Sequence, residues 1–422
     1  MDFVFGLTAL AALSLVVWFW VMSSFPAPLE SEGLADAAED EAAAIADGPR
    51  SDPVVRRTQR VRAGQAAARQ HDASLARADD AAAVLPVVRR LLVRTGAGPM
   101  RVTVSGSMPS EAPFCLLTVS NPGADTHACY GPFLASAAAA IPALRRAAVV
   151  SIDLPGQESH AEEFEPEGGL ERAPLPDAPP LVSFSSLAEA VVDCCAAVRV
   201  GEAVGLGAGA GAWLLLAAQA RRPALLRAFV ACGITAVAPR LGEASTLAAL
   251  AWWLSSPAGW TPWSRRLVAG GLMSTTAARG ELGRRVREGT RDWNPKWVAA
   301  LLAGWSARPA LLDSTLEAAV LGCESVGHGR KGRGGASALS AVVLMQPAVP
   351  GIGIPLCDGS PPPSDTDALA PRLSKLFGDK GLGGACSHMD APGGPLSASE
   401  VPHRTIRPLK CLLLGFGIAV DD

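Results

Sequence analysis

The chain has 422 residues, of which 49% are hydrophobic and 18% are charged. Chains that are disordered throughout have the opposite balance, so this composition predicts a sizeable buried core. The 37 Lys and Arg residues nearly balance the 40 Asp and Glu residues, which gives a formal net charge of −3. This balance excludes a strong overall positive field, and we therefore expect no nucleic-acid partner.

The cysteines and histidines are not spaced like metal ligands. The nine cysteines include no C-x-x-C pair, and five of the six histidines are scattered along the chain. A disulfide framework or a zinc ribbon needs regular spacing, so we interpret the cysteines as free, mostly buried thiols in a reducing compartment. We expect neither a metal site nor a cofactor.

An uncharged, largely apolar segment, residues 3–25, stands at the N-terminus. As a helix, 23 residues span about 34 Å, which is enough to cross the hydrocarbon core of a bilayer. Residues 1–25 are therefore predicted to be a single-pass transmembrane anchor. A cleaved or organellar targeting segment is the alternative, and it would leave the folded domain in the cytoplasm or an organelle. Basic residues from Arg50 onward favour a cytoplasmic folded domain.

Residues 26–87 are predicted to be a disordered or partly helical linker. They are rich in Ala, Asp, Glu and Arg, lack large apolar anchors, and change from an acidic block to a basic one. Nothing in such a composition requires a packed core.

From about residue 88 onward, short apolar runs alternate with Ala-rich segments. The first two runs, on either side of the turn at 95–98, predict a β-hairpin. The elements predicted after it are a strand at 114–119, a helix at 133–145, a strand at 147–152, a helix at 186–198, a strand at 203–206, a helix at 212–220 and a strand at 226–232. Alternating helices and unbroken apolar strands predict an α/β fold with a mostly parallel sheet and helices on both faces.

A Gly-rich turn, Gly205–Ala212, lies between a predicted strand and a predicted helix. It fits a dinucleotide fingerprint as G-x-G-x-x-A, but the acid expected about 20 residues later is missing, since the first one downstream is Glu243. The turn also has the frame of the nucleophile elbow, G-x-S-x-G. Gly209 stands at the nucleophile position, and glycine has no side chain that can attack a carbonyl.

Three segments resemble the N-myc downstream-regulated (NDR) family, an α/β-hydrolase-like family regarded as non-enzymatic. The turn Gly205–Ala212 is similar to the family's elbow, which also lacks serine. Residues 153–158 resemble its D-x-P-G-Q-x segment, and residues 122–133 resemble the segment after its third strand. The resemblance covers roughly residues 88–418. It implies an α/β-hydrolase-like domain over 88–422, acting in signal transduction or in stress and differentiation responses through protein partners.

The same resemblance locates the other two positions of a hydrolase triad. Asp358 falls at the acid position, and the base position falls at either His388 or Gly394. Where hydrolases usually place a His-Gly pair that supports the oxyanion hole, this chain has Ser120-Asn121. Because loss of any triad member is very damaging to turnover, Gly209, Asp358 and His388 are expected to form a degenerate, inactive triad.

Residues 240–312 are predicted to form a helical cap, and they contain seven of the ten tryptophans. These side chains suit the core of the cap, a pocket for a small ligand, or a surface that binds a partner.

Residues 322–353, which include GHGRKGRGGASAL, are predicted to be a low-complexity basic insertion. Two alternative functions stay open: a hydrolase with a non-serine mechanism, and a lipid or small-ligand binding module under the cap.

Overall fold

The computed structural model describes the following parts of the chain: residues 85–157, 165–166, 182–239, 241–256, 293–321, 341–347, 365–379, 385–391 and 402–418, several isolated residues between 259 and 290, and residues 339, 399 and 420. The chain divides into two compact units, Met1–Arg62 and Ala63–Asp422. Every described residue belongs to the second unit.

The predicted transmembrane anchor lies outside the described residues, and so does nearly all of the predicted linker. In the part of the chain that the structure describes, no helix has both the length and the apolar character needed to span a bilayer. The anchor over residues 1–25 therefore stays a prediction.

The strands and helices alternate along most of the chain. The strands are β1 (Val87–Thr95), β2 (Gly98–Gly106), β3 (Cys115–Val119), β4 (Ala148–Asp153), β5 (Glu165–Pro166), β6 (Ala203–Ala208), β7 (Leu226–Cys232), β8 (Ala341–Pro347) and β9 (Ala385–Ala391). The α-helices are α1 (Thr126–Ala140), α2 (Phe184–Ala197), α3 (Ala210–Arg221), α4 (Leu241–Ser255), α5 (Pro295–Ser306), α6 (Asp313–Leu321), α7 (Asp365–Asp379) and α8 (Pro402–Gly415).

The strands form one nine-stranded sheet in the order β5-β1-β2-β4-β3-β6-β7-β8-β9. β2 is antiparallel to both β1 and β4, and all the other neighbouring pairs are parallel. Every residue of β3 and β6 is buried, as expected for central strands covered on both faces. The predicted hairpin and the mostly parallel α/β sheet are confirmed.

The helices form two groups. α3 packs against α2 and α6, whereas α1 packs against α8. Two separate groups are typical of a parallel sheet with helices on both faces.

The helix predicted at 133–145 begins seven residues earlier than expected. The Asp125 side chain caps α1 by accepting a hydrogen bond of 2.7 Å from the Ala128 N–H. Pro142 then starts a separate 3₁₀ helix, Pro142–Arg146, because proline cannot continue the ladder of α-helical hydrogen bonds.

The segment predicted as a basic insertion also needs correction at its C-terminal end. Residues 341–347 form strand β8, which pairs with β7 on one side and β9 on the other. The apolar run from Val342 to Met345 is buried in the sheet, so the boundary at residue 353 is too late. Residues 322–338 lie outside the described residues.

Helices α4 and α5 lie in the predicted cap and pack against each other. The indole of Trp297 in α5 is fully buried, and Trp293 and Trp305 are also buried. Gly98 and Gly156 make room for Trp297: a Cβ on Gly98 would lie 2.6 Å from the Trp297 ring, and a Cβ on Gly156 would collide with the Trp297 side chain. Trp297 therefore attaches the cap to the β1–β2 turn and to the loop after β4.

Candidate functional site

Gly209 is the single residue between strand β6 and helix α3, as the elbow pattern predicts. Its φ of 52° and ψ of −118° lie in a region that residues with a Cβ rarely adopt. Its N–H donates a 2.8 Å hydrogen bond to the Cys232 carbonyl at the end of β7. The chain thus makes a sharp strand-to-helix turn at the carboxyl edge of the sheet, where open α/β sheets bind ligands.

The glycines on either side of Gly209 let helix α3 approach the sheet closely. A Cβ on Gly211 would collide with the Val119 carbonyl of β3, and a Cβ on Gly207 would collide with the Ala212 backbone. Because these contacts involve backbone atoms, no side-chain movement could relieve them. The Gly-x-Gly-x-Gly frame is thus a requirement of packing at this turn.

The Asn121 carboxamide fills the space beside Gly209. Its Oδ1 accepts a 3.3 Å hydrogen bond from the Gly211 N–H, at the first turn of α3. A Cβ on Gly209 would lie only 2.9 Å from the same oxygen. Asn121 is 1% exposed, so its side chain occupies a closed site at the base of the elbow.

Ser120 and Gln157 hold the Asn121 loop in place. The Gln157 amide nitrogen donates a 2.7 Å hydrogen bond to the Asn121 carbonyl, and the Ser120 hydroxyl donates to Gln157 Oε1 at 3.2 Å. The same hydroxyl accepts a 3.0 Å bond from the Leu154 N–H. All three polar side chains are buried. Ser120 and Asn121, which replace the usual His-Gly pair of hydrolases, are therefore hydrogen-bonded to the D-x-P-G-Q-x segment at the end of β4.

Tyr130, the only tyrosine of the chain, joins the ends of two neighbouring strands. Its hydroxyl donates a 2.9 Å hydrogen bond to the Val119 carbonyl and accepts one of 3.0 Å from the Ala208 N–H. Burial raises the pKa of Tyr130 well above its usual value. The phenol therefore stays neutral at physiological pH, and its contacts position the residue before Gly209.

A buried carboxylate lies at the end of β4. Asp153 Oδ1 accepts a 2.6 Å hydrogen bond from the Thr126 N–H at the start of α1. Burial, followed by the negative charge of Asp125, raises the pKa of Asp153 to about 6. Arg101, its partner in the β2–β4 register, opposes this shift. The carboxyl thus joins α1 to β4 and changes its charge near neutral pH.

No cysteine of the described residues forms a disulfide, and most of them are buried. Burial raises the pKa of the Cys115 thiol to about 12 and those of Cys129 and Cys195 higher still. Thiols in such environments are poor nucleophiles, because the thiolate is the reactive form. Cys129, whose thiol lies beside the Asn121 side chain, is therefore a poor nucleophile.

The structure does not bring His388 to the elbow. His388 lies inside β9 and pairs with Leu344, which is level with Ala231 and Gly207 on the next two strands. Three strand spacings correspond to about 14 Å between the backbones of His388 and Gly207. Gly394, the alternative base position, and Asp358 lie outside the described residues. Among the residues that the structure describes, no cluster of His, Cys, Asp and Glu side chains could hold a metal ion.

The turn at Gly209 has the strand-to-helix geometry of a hydrolase elbow with glycine at its centre, and its surroundings can be compared with known proteins. Residues 91–245 match the Ndr family. This segment runs from the middle of β1 to the first residues of α4 and includes the elbow, Asn121 and Tyr130, so the NDR resemblance is confirmed over it. No curated protein matches the chain.

Solved structures of hydrolases show the same fold. A thermophilic esterase from Thermogutta terrifontis is 15% identical, with a TM-score of 0.54, over 78% of this chain and 99% of the esterase. A hydrolase from Pseudomonas aeruginosa PA01 is 15% identical, with a TM-score of 0.52, over 77% of this chain and 98% of its own. An enol-lactonase from Burkholderia xenovorans LB400 is 12% identical, with a TM-score of 0.52, over 76% and 99%. These likenesses show an α/β-hydrolase-like fold.

Proposed function

We propose that this protein is a catalytically degenerate member of the α/β-hydrolase fold that acts through protein partners in signal transduction or in stress and differentiation responses. One observation carries the loss of catalysis: Gly209 occupies the nucleophile position, and the Asn121 carboxamide fills the space next to it. A hydrolase of this fold needs a nucleophilic side chain at that position and an open site beside it.

The neighbouring side chains do not supply a substitute nucleophile. The Ser120 hydroxyl is buried and donates to Gln157, and the Tyr130 phenol donates to a backbone carbonyl. The Cys129 thiol is buried, and its raised pKa keeps it protonated. These contacts support a non-enzymatic function over a hydrolase with a non-serine mechanism.

The role in signalling rests on the match of residues 91–245 to the Ndr family and on what that resemblance implies. The buried tryptophans of α5 support the interpretation of the cap as a packed structural unit, which favours partner binding over a ligand pocket. We also propose that residues 3–25 anchor the protein in a membrane, with the folded domain in the cytoplasm.

Hydrolysis of 4-nitrophenyl acetate and 4-nitrophenyl butyrate by the full chain tests the loss of catalysis. After exposed thiols have been blocked with N-ethylmaleimide, we expect no turnover above the blank. The Gly209→Ser variant should also be inactive, because Asn121 fills the adjacent space, and Gly209→Ala is its matched control. Ester turnover that persists after thiol blocking and disappears in His388→Ala would refute the proposal.

A further inference from the structure

Six arginines gather at the amino edge of the parallel strands, opposite the elbow. We call this group the arginine edge, and it consists of Arg145, Arg146, Arg199, Arg221, Arg222 and Arg227. Each lies where a helix ends or a strand begins, next to the starts of β4, β6 and β7. These strands, with β3 between β4 and β6, are consecutive neighbours, so their starts span about 14 Å.

Negative charge at this edge does not balance the arginines. Five of the six are exposed, and Arg222 is half-buried. Glu189 lies 3.5 Å from Arg221, and Glu202 is exposed directly before β6, so the six guanidinium groups of this edge outnumber these two carboxylates. The chain as a whole carries a net charge of −3, so the positive charge of this edge is a local feature.

Arg199 holds its place on the arginine edge at a conformational cost. Its φ is 57°, and it is the only residue other than glycine with a positive φ among those described. It follows the last residues of α2, a position where glycine is strongly preferred because it has no Cβ. A strained residue that persists on an exposed surface points to a function for its side chain.

Contacts with the backbone fix several of the guanidinium groups. Arg222 Nη2 donates to the Val200 carbonyl at 2.8 Å, and Arg145 Nε donates to the Ala138 carbonyl at 3.0 Å. The Arg227 guanidinium stacks 4.4 Å from the centre of the Phe416 ring. A guanidinium has five N–H donors, so each group keeps further donors for a ligand. Arginines held in this way lose little side-chain entropy when they bind a carboxylate.

We propose that the arginine edge docks an acidic segment, rich in Asp and Glu, of a partner protein. Fixed guanidinium groups at the ends of separate elements suit carboxylates at defined spacing, and bidentate pairing with a carboxylate is among the strong contacts that arginine makes. Arginine also pairs with phosphate, so a lipid surface and nucleic acid are outcomes of the test, and the proposed action through protein partners favours the acidic protein segment. The inference rests on the proposed function, since it names the chemistry of the protein partner.

Fluorescence polarisation of a labelled peptide tests the arginine edge. The probe is a dodecapeptide of alternating Glu and Gly, the control peptide has Gln in place of Glu, and the protein is the full chain at about 50 mM salt, where surface charges are weakly screened. The Arg146→Gln, Arg199→Gly double variant should raise the Kd for the acidic peptide about tenfold, because each lost charge-assisted contact weakens binding. Arg404→Gln with Arg407→Gln, two exposed arginines on α8, is the matched control and should change the Kd less than twofold.

The Arg199→Gly substitution separates binding from folding. Glycine relieves the positive φ, so the double variant should melt no lower than the natural chain while binding the acidic peptide more weakly. The inference would be overturned if the two double variants lost affinity equally, or if the natural chain did not bind the acidic peptide. It would also be overturned if the natural chain bound phosphatidylserine vesicles or a DNA duplex more strongly than the peptide and the Arg146→Gln, Arg199→Gly variant lost that binding. Ester turnover in the same preparations would refute only the proposed loss of catalysis, and the peptide result would still decide the docking site.

Discussion

Replacing Gly209 with alanine probes the contact between the elbow and Asn121. The new Cβ has two costs: it occupies a backbone conformation with a φ of 52°, and it lies 2.9 Å from Asn121 Oδ1. The strained backbone costs about 1–3 kcal/mol. Displacing the carboxamide leaves the buried Gly211 N–H without its acceptor, at a cost of about 1–3 kcal/mol. We therefore expect Gly209→Ala to destabilise the chain by about 2–6 kcal/mol.

A double-mutant cycle with Asn121→Ala separates these two costs. The three atoms nearest to a Cβ at position 209 all belong to this carboxamide, so after Asn121→Ala the backbone strain is the main remaining cost. The coupling between the two substitutions should therefore be about 1–3 kcal/mol, measured by urea unfolding of the full chain with tryptophan fluorescence. Gly201→Ala is the matched control, because a Cβ there has no atom within 4 Å. Destabilisations that add to within about 0.5 kcal/mol would refute the placement of Asn121 against the elbow.

Three further predictions concern other parts of the chain. The Asp153 pKa of about 6 exceeds its unfolded value, so ionisation of Asp153 destabilises the fold as pH rises from about 4 to 6. Between pH 4 and 7, the free energy of unfolding of Asp153→Asn should therefore rise by up to about 3 kcal/mol relative to that of the natural chain. A difference between the two proteins in urea unfolding that does not change with pH would contradict this. Gly156→Ala should lower the melting temperature more than Gly201→Ala, because its Cβ collides with Trp297; equal melting temperatures would contradict the docking of α5. Deleting residues 1–25 should move the protein from the carbonate-washed membrane fraction to the soluble one, and a full-length chain that is already soluble with an intact N-terminus would exclude the anchor.

The elbow could be predicted from sequence because its signal is local. Glycine at positions 207, 209 and 211 shows where the chain turns sharply and where a helix approaches a strand, and the structure needs each of them for such a reason. The parallel sheet was predictable for a similar reason, since unbroken apolar runs such as that of β3 are the pattern of strands buried on both faces.

The contents of the site could not be predicted in the same way. Asn121 reaches Gly211 across 90 positions of sequence, and Tyr130 reaches Ala208 across 78. Their roles depend on how the loop after β3 folds back over the elbow, and no local pattern encodes this. The available signals were the place of Tyr130 inside the segment 122–133 that resembles the NDR family and the departure of Ser120-Asn121 from the hydrolase pattern. The strand that contains His388 could not be predicted either, because the run Ala385–Ala391 lacks the periodicity of a strand.

Intact-mass spectrometry after treatment with a fluorophosphonate tests most directly whether the elbow holds a nucleophile. These reagents phosphonylate the activated serine of hydrolases. Among the described side chains around Gly209, the serine is Ser120, whose buried hydroxyl donates to Gln157. We predict that the natural chain and the Gly209→Ser variant both keep their unmodified masses. A single stoichiometric adduct on the natural chain, mapped to Ser120 or to any other residue beside the elbow, would contradict the loss of catalysis.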